Sequence, residues 1–155
     1  MWAPIGQRPI AFVRQKYEWV YVYGFVHPES GRTEWLILPT VNSEAFEVAL
    51  HHFAKAIGAG SHKRIILVVD GAGWHRSDIN IPEGIHLLRL PPYSPELQPA
   101  EKLWPLLRES VANKYIKTLD ELEDILVKRC RYLIENGKII KSNTLFHWWP
   151  QRKPD

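Results

Sequence analysis

Cysteine is almost missing from this chain. Cys130 is the single one in 155 residues, which excludes an internal disulfide and suits a reducing compartment. The seven histidines contain no His-x-x-x-His pair, so the usual donors of a zinc site are not there either. No apolar run approaches the roughly 20 residues of a membrane span, and Met1-Trp2-Ala3-Pro4 does not open a signal peptide. Gly71-Ala72-Gly73 lacks the rest of either phosphate-binding glycine signature. Ser94 has none of the flanking glycines that present a nucleophilic serine on a sharp turn. Internal repeats and low-complexity tracts are lacking too.

What is present reads as one compact domain. Apolar residues make up 45% and charged residues 24%, the balance of a soluble globular protein. Seven tryptophans and six tyrosines supply bulk for a core. The net charge of +3 permits a nucleic-acid partner without requiring one.

Aromatic and β-branched residues crowd Glu18 to Val26 and predict a strand. His27-Pro28-Glu29-Ser30-Gly31 predicts a turn, and Thr33 to Leu38 the returning strand of an antiparallel hairpin. Residues 1–9 read as loop and Ile10-Ala11-Phe12-Val13 as a short strand. Asn42 or Ser43 caps a helix whose apolar face is Phe46, Ala49, Leu50, Phe53, Ala54 and Ile57, with Gly58 at its end. The unbroken run Ile65-Ile66-Leu67-Val68-Val69 predicts a strand buried on both faces, as in a parallel sheet. Ile85 to Leu90 is a second strand, broken by Pro91-Pro92. Gln98 and Pro99 then mark a helix start, and Pro105 predicts a kink or early break. Thr118-Leu119-Asp120-Glu121 matches a capping box opening a firm helix. Gly137 closes it, and residues 138–155 read as irregular. The order is that of a mixed α/β fold.

Two carboxylates stand out. Asp70 falls at the carboxyl end of its strand, where open α/β sheets place ligands, and Glu101 lies in a first helical turn. Each has an ordinary alternative: Asp70 as a turn cap, Glu101 as a complement to the helix dipole. As a pair aimed at one sheet edge, they suit a hard divalent ion, Mg²⁺ or Mn²⁺. Two such ions about 3.5–4 Å apart can activate a water or hydroxyl and stabilise the leaving oxygen of a phosphodiester. Trp74 can stack on a base or simply pack. His75, Arg76, Lys102 and Arg108 fall near the same edge and can meet phosphates or face solvent.

Val68-Val69-Asp70-Gly71-Ala72-Gly73-Trp74-His75-Arg76-Ser77 resembles the second-aspartate segment of the mariner-like superfamily of DDE transposases. Leu90-Pro91-Pro92-Tyr93-Ser94-Pro95-Glu96-Leu97-Gln98-Pro99-Ala100-Glu101-Lys102-Leu103-Trp104 resembles its third-carboxylate segment, closest to the bacterial insertion-sequence branch. Trp2-Ala3-Pro4-Ile5-Gly6-Gln7-Arg8-Pro9 is similar to the segment downstream of the family's first strand. Gln98 stands where the family usually has asparagine, and Ala100 where a larger aliphatic is common.

The resemblance implies a ribonuclease H-like mixed sheet flanked by helices, over residues 1–150, with 151–155 a loose tail. It implies three carboxylates on two Mg²⁺ (or Mn²⁺) ions, strand cleavage by water, and strand transfer by a 3′-hydroxyl during DNA transposition. Asp70 becomes the second carboxylate and Glu101 the third. The first aspartate belongs to a central strand upstream of Trp2-Ala3-Pro4, so that strand and its ligand are expected to be missing here, and Glu18, Glu34 and Asp78 do not obviously replace it. The expectation is a chain inactive alone, from a truncated gene, an incomplete gene model, or one half of a frame-split element. The expected partners are transposon-end and target DNA, with an upstream split-frame product or a second copy. The expected location is the cytoplasm, at the nucleoid, with no membrane contact. A non-catalytic ribonuclease H-like module binding DNA or a partner transposase is the alternative.

Overall fold

A computed structural model describes residues 3–4, 10–13, 19–70, 79–91 and 95–146. Its central element is strand β3 (Trp19–His27). On one edge it pairs antiparallel with β4 (Arg32–Leu38), from Tyr21 opposite Leu38 to His27 opposite Arg32. Two short strands pair antiparallel along its other edge. These are β1 (Ala3–Pro4), opposite Val26 and Phe25, and β2 (Ile10–Val13), opposite Val22 to Trp19. Part of the segment read as loop is therefore β1, recruited by backbone groups that β3 would otherwise leave open.

Strands β5 (Ile65–Val69) and β6 (Ile85–Arg89) form a separate parallel pair, in register from Ile65 opposite Ile85 to Val69 opposite Arg89. Among the described residues no hydrogen-bonded ladder joins the two sheets; β1 lies alongside β5 and bridges them by contact. The expectation that β5 is buried on both faces needs correction. Ile65, Leu67, Val68 and Val69 are buried, but Ile66 is 46% exposed, as is Leu88 of β6 at 50%. These two share one face of the pair, and among the described residues that face is only partly covered.

Adjacent residues of a strand face opposite sides, and β3 carries a layer on each. On the Phe25 side lies α1 (Ser43–Ile57), with the Phe53 ring stacked on Phe25 at 4.3 Å between centroids. Its start is fixed by the Asn42 side chain, which accepts from the Ala45 amide at 2.7 Å. On the Gly24 side lies the segment carrying Glu101, with α2 (Leu103–Arg108) and α3 (Leu119–Glu135). Gly24 matters because a side chain there would press on the Trp35 ring at 3.0 Å and on Leu103 at 3.4 Å.

The capping box forms. The Thr118 hydroxyl accepts from the Glu121 amide at 3.1 Å, and the Glu121 carboxylate reaches back past Thr118 to the Lys117 amide. Helix α3 buries Leu122, Leu126, Cys130 and Leu133. Burial pushes the Cys130 thiol up to about 12, so it stays protonated and inert in the core. After Asn136 a fourth helix begins, α4 (Gly137–Thr144), where an irregular tail was expected. Gly137 does follow the end of α3, and it also opens α4. It packs its backbone against Gly31 of the β3–β4 turn, and Ile140 and Thr144, one turn apart, bury the helix's inner face.

That turn also holds a titratable group. His27 Nδ1 and the Ser30 hydroxyl lie 2.6 Å apart, and burial, reinforced by nearby Arg32 and Lys63, lowers the His27 pKa from 6.5. The unfolded chain then binds the proton more readily than the folded one. Neutral His27 contributes its stability in full above pH 6.5, and that contribution drains away as the pH falls through the lowered folded value. Thermal unfolding of the parent and of His27→Gln at pH 7.5 and 5.5 checks this. The parent should lose more of its melting temperature on acidification than the variant.

Candidate functional site

Asp70 is the first residue beyond β5 and is 5% exposed. The strand end that delivers it is fixed from β6, because the Leu90 amide donates to the Val69 carbonyl at 2.7 Å. A carboxylate this buried at a strand terminus is costly as an anion unless something compensates it.

Glu101 is half-buried and sits in a 3₁₀ turn, Pro99–Lys102, that leads directly into α2. Gln98 does occupy the capping position with Pro99 after it, but it does not cap the helix with its side chain; it is buried instead, at 1% exposure. Pro105 falls inside a short helix that ends three residues later, at Arg108. It is the third residue of α2, where the helix does not yet need its N–H, and the backbone tightens to 3₁₀ before it. Ala100, Leu103, Trp104 and Leu107 are buried as one face. Trp104, part of the sequence motif, meets Trp35 edge to face at 6.3 Å and so anchors the Glu101 element on the sheet. Contacts of that kind contribute about 0.5–1.5 kcal/mol beyond simple burial.

The two carboxylate-bearing elements meet at β1. Strand β1 contacts both β5 and the Pro99–Lys102 turn, so Asp70 and Glu101 come from elements that border the same short strand. Among the described residues no three His, Cys, Asp or Glu side chains cluster as metal ligands. Glu34 is engaged elsewhere, with Arg32 at 3.1 Å, and Glu18 and Asp78 lie outside the described residues, as do Trp74, His75 and Arg76. Lys102 and Arg108 are exposed beside the Glu101 element.

Arg129 of α3 is a residue that the sequence did not single out. Its Nε donates to the Leu106 carbonyl at 2.9 Å, its guanidinium holds Glu109 at 2.8 Å, and it lies over the Tyr132 ring at 4.9 Å. It thereby closes the C-terminal end of α2 and ties the Glu101 element to α3. No local pattern announces a contact between residues so far apart in sequence.

Residues 1–123 match the family described as DDE superfamily endonuclease. The chain belongs to that family. An uncharacterized protein, y4pE/y4sA, of Sinorhizobium fredii (strain NBRC 101917 / NGR234) is 32% identical over 132 residues, covering 84% of this chain and 96% of the relative. Two solved structures share the fold of this DDE-family chain. One is a simian T-cell lymphotropic virus intasome in complex with PP2A regulatory subunit B56 gamma, at TM-score 0.57 and 16% identity over 81% of this chain. The other is the Mos1 strand transfer complex, at TM-score 0.54 and 13% identity over 95% of it. The fold is thus ribonuclease H-like, as the resemblance implied. This chain spans about half the length of those two solved chains, 46% and 54%. No helix among the described residues is long and apolar enough to cross a membrane.

Proposed function

We propose that this chain is the catalytic-domain portion of an insertion-sequence transposase of the DDE family, with Asp70 and Glu101 as two of its three metal-binding carboxylates. The observation that carries the reading is their placement: a buried strand-end aspartate and a helix-start glutamate, on elements that both pack against β1. Two hard oxygen donors without cysteine fit Mg²⁺ or Mn²⁺. When bound, such ions supply Lewis-acid activation of a water or 3′-hydroxyl and stabilise charge on the leaving oxygen of a DNA phosphodiester. Asp70 and Glu101 contribute negative charge and rigid aim; the apolar contacts of Trp104 and Leu103 keep Glu101 from drifting.

The same placement supports a second part of the reading. Strand β1, which borders both elements, carries no carboxylate, and the reading assigns the third carboxylate to a separate segment, the product of an upstream split frame or a second polypeptide. The chain alone then holds metal but does not cleave DNA.

Calorimetric titration with Mn²⁺, together with nicking of terminal-repeat DNA in Mg²⁺, tests both parts. Expected are Mn²⁺ binding that disappears in Asp70→Asn and in Glu101→Gln, and no nicking by the parent chain. Binding indifferent to both substitutions would replace this reading with a non-catalytic module that binds DNA or a partner transposase. Nicking by the parent that is lost on Asp70→Ala would refute the need for a second segment.

A further inference from the structure

The connector between α2 and α3 holds an aromatic ring in solvent among unpaired cations. Tyr115 is 70% exposed, the most exposed of the large apolar and aromatic side chains described. Lys114 and Lys117 flank it and are exposed. Arg108 begins the turn that leads there, its carbonyl accepting the amides of Val111 and Ala112. None of these cations, nor Lys102, makes an ion pair with another described residue. Of the nearby acids, Glu109 is held by Arg129 and Glu121 by the Lys117 amide. Glu101, Asp120 and Glu123 lie further along the flanking elements.

The connector is also pinned. Ile116 packs inward against the core, the Lys114 amide donates to the Val111 carbonyl at 3.3 Å, and Thr118 is fixed as the cap of α3. With Ile116 packed against the core, its neighbours Tyr115 and Lys117 are exposed. A planar ring fixed beside cations is how proteins hold single-stranded nucleic acid: the ring stacks on a base and the cations track phosphates. A duplex keeps its bases stacked inside and offers the ring nothing comparable.

We infer that residues 114–117 are a single-strand contact, with Tyr115 stacking on an unpaired base and Lys114, Lys117 and Arg108 holding flanking phosphates. The connector follows α2, which itself follows the Glu101 turn. It deepens the proposed function, resting on it for the identity of the strand as DNA.

Fluorescence anisotropy of the full chain in EDTA reads this contact without metal or cleavage, so it stands or falls separately from the nuclease reading. The probes are a labelled thymidine oligomer, its duplex, and an abasic oligomer of equal length. Tyr115→Ala should weaken binding of the thymidine oligomer about tenfold, Tyr115→Phe should restore it, and the abasic oligomer should not sense either change. The double variant Lys114→Gln, Lys117→Gln should flatten the salt dependence by about 1.4 in logarithmic slope. The inference is overturned by a Tyr115→Ala variant that binds the thymidine oligomer like the parent, by equal losses on both oligomers, or by tighter binding to the duplex. Tyr115-dependent capture of polyglutamate in preference to the oligomer also overturns it, assigning the surface to an acidic protein partner.

Discussion

Gly31→Ala should destabilise the chain by about 2–5 kcal/mol, roughly twice the cost of Gly58→Ala. Both glycines have left-handed backbones, with φ of +75° and +72°, and an alanine in that region costs roughly 1–2 kcal/mol. Their surroundings differ. A Cβ on Gly58 meets nothing within 4 Å, whereas one on Gly31 lands on the Gly137 carbonyl oxygen. That oxygen belongs to backbone, so relief requires moving the start of α4 or the β3–β4 turn, an overpacking cost of about 1–3 kcal/mol on top. Urea denaturation of the three proteins separates the terms. Equal losses for the two variants would mean that the turn and α4 do not touch as described. Because Ile140 and Thr144 of α4 are fully buried, the steric effect of Gly31→Ala should spread into the core, and the unfolding transition should stay cooperative.

The same contact shows why α4 was hard to read. In a sequence, glycine after a long amphipathic helix signals a stop; α3 does end at Glu135, just before Gly137, but a new helix opens at that glycine. Gly137 lies against Gly31, far away in the chain, and it is a Cβ on Gly31 that would collide with the Gly137 carbonyl oxygen. The buried stripe of α4 is only Ile140 and Thr144, too thin to register as helical periodicity. By contrast, the β3–β4 hairpin and α1 were legible because their determinants are local: alternating aromatic and β-branched residues, Asn42 as cap, Gly58 as exit. Strand β5 was legible in position but not in environment. An unbroken apolar run says that a strand is buried; it does not say that the β5–β6 pair leaves Ile66 exposed.

The site divides in the same way. Asp70 and Glu101 stood out because strand ends and helix starts are local features with known directions. The use of Ala3–Pro4 as a strand that borders both elements that bear them was not legible, because two residues carry no periodicity and their pairing is decided by the edge of β3. Trp104 was visible as part of a motif, yet its work is packing against Trp35, which a motif cannot express. Arg129's hydrogen-bonded partners, Leu106 and Glu109, lie in and just after α2, so no local pattern around Arg129 points to them.

Leu103→Ala should cost about 2–5 kcal/mol of stability and also lower Mn²⁺ affinity about 10- to 100-fold, the scale seen when support of a metal ligand is removed. Leu103 is fully buried, follows the Glu101 turn by two residues, and reaches across to Gly24 of β3. Truncation opens a void directly beneath the turn, and Glu101 loses the contact that fixes its height above the sheet. Phe53→Ala is the control. It removes an equally buried side chain from the other layer, where it stacks on Phe25, at about 3–5 kcal/mol. Phe53 supports neither carboxylate, so its variant should bind Mn²⁺ like the parent under conditions where both remain folded. If both variants lose metal affinity alike, global loosening explains the loss. Should only Leu103→Ala lose it, the apolar face of residues 100–107 is what aims Glu101.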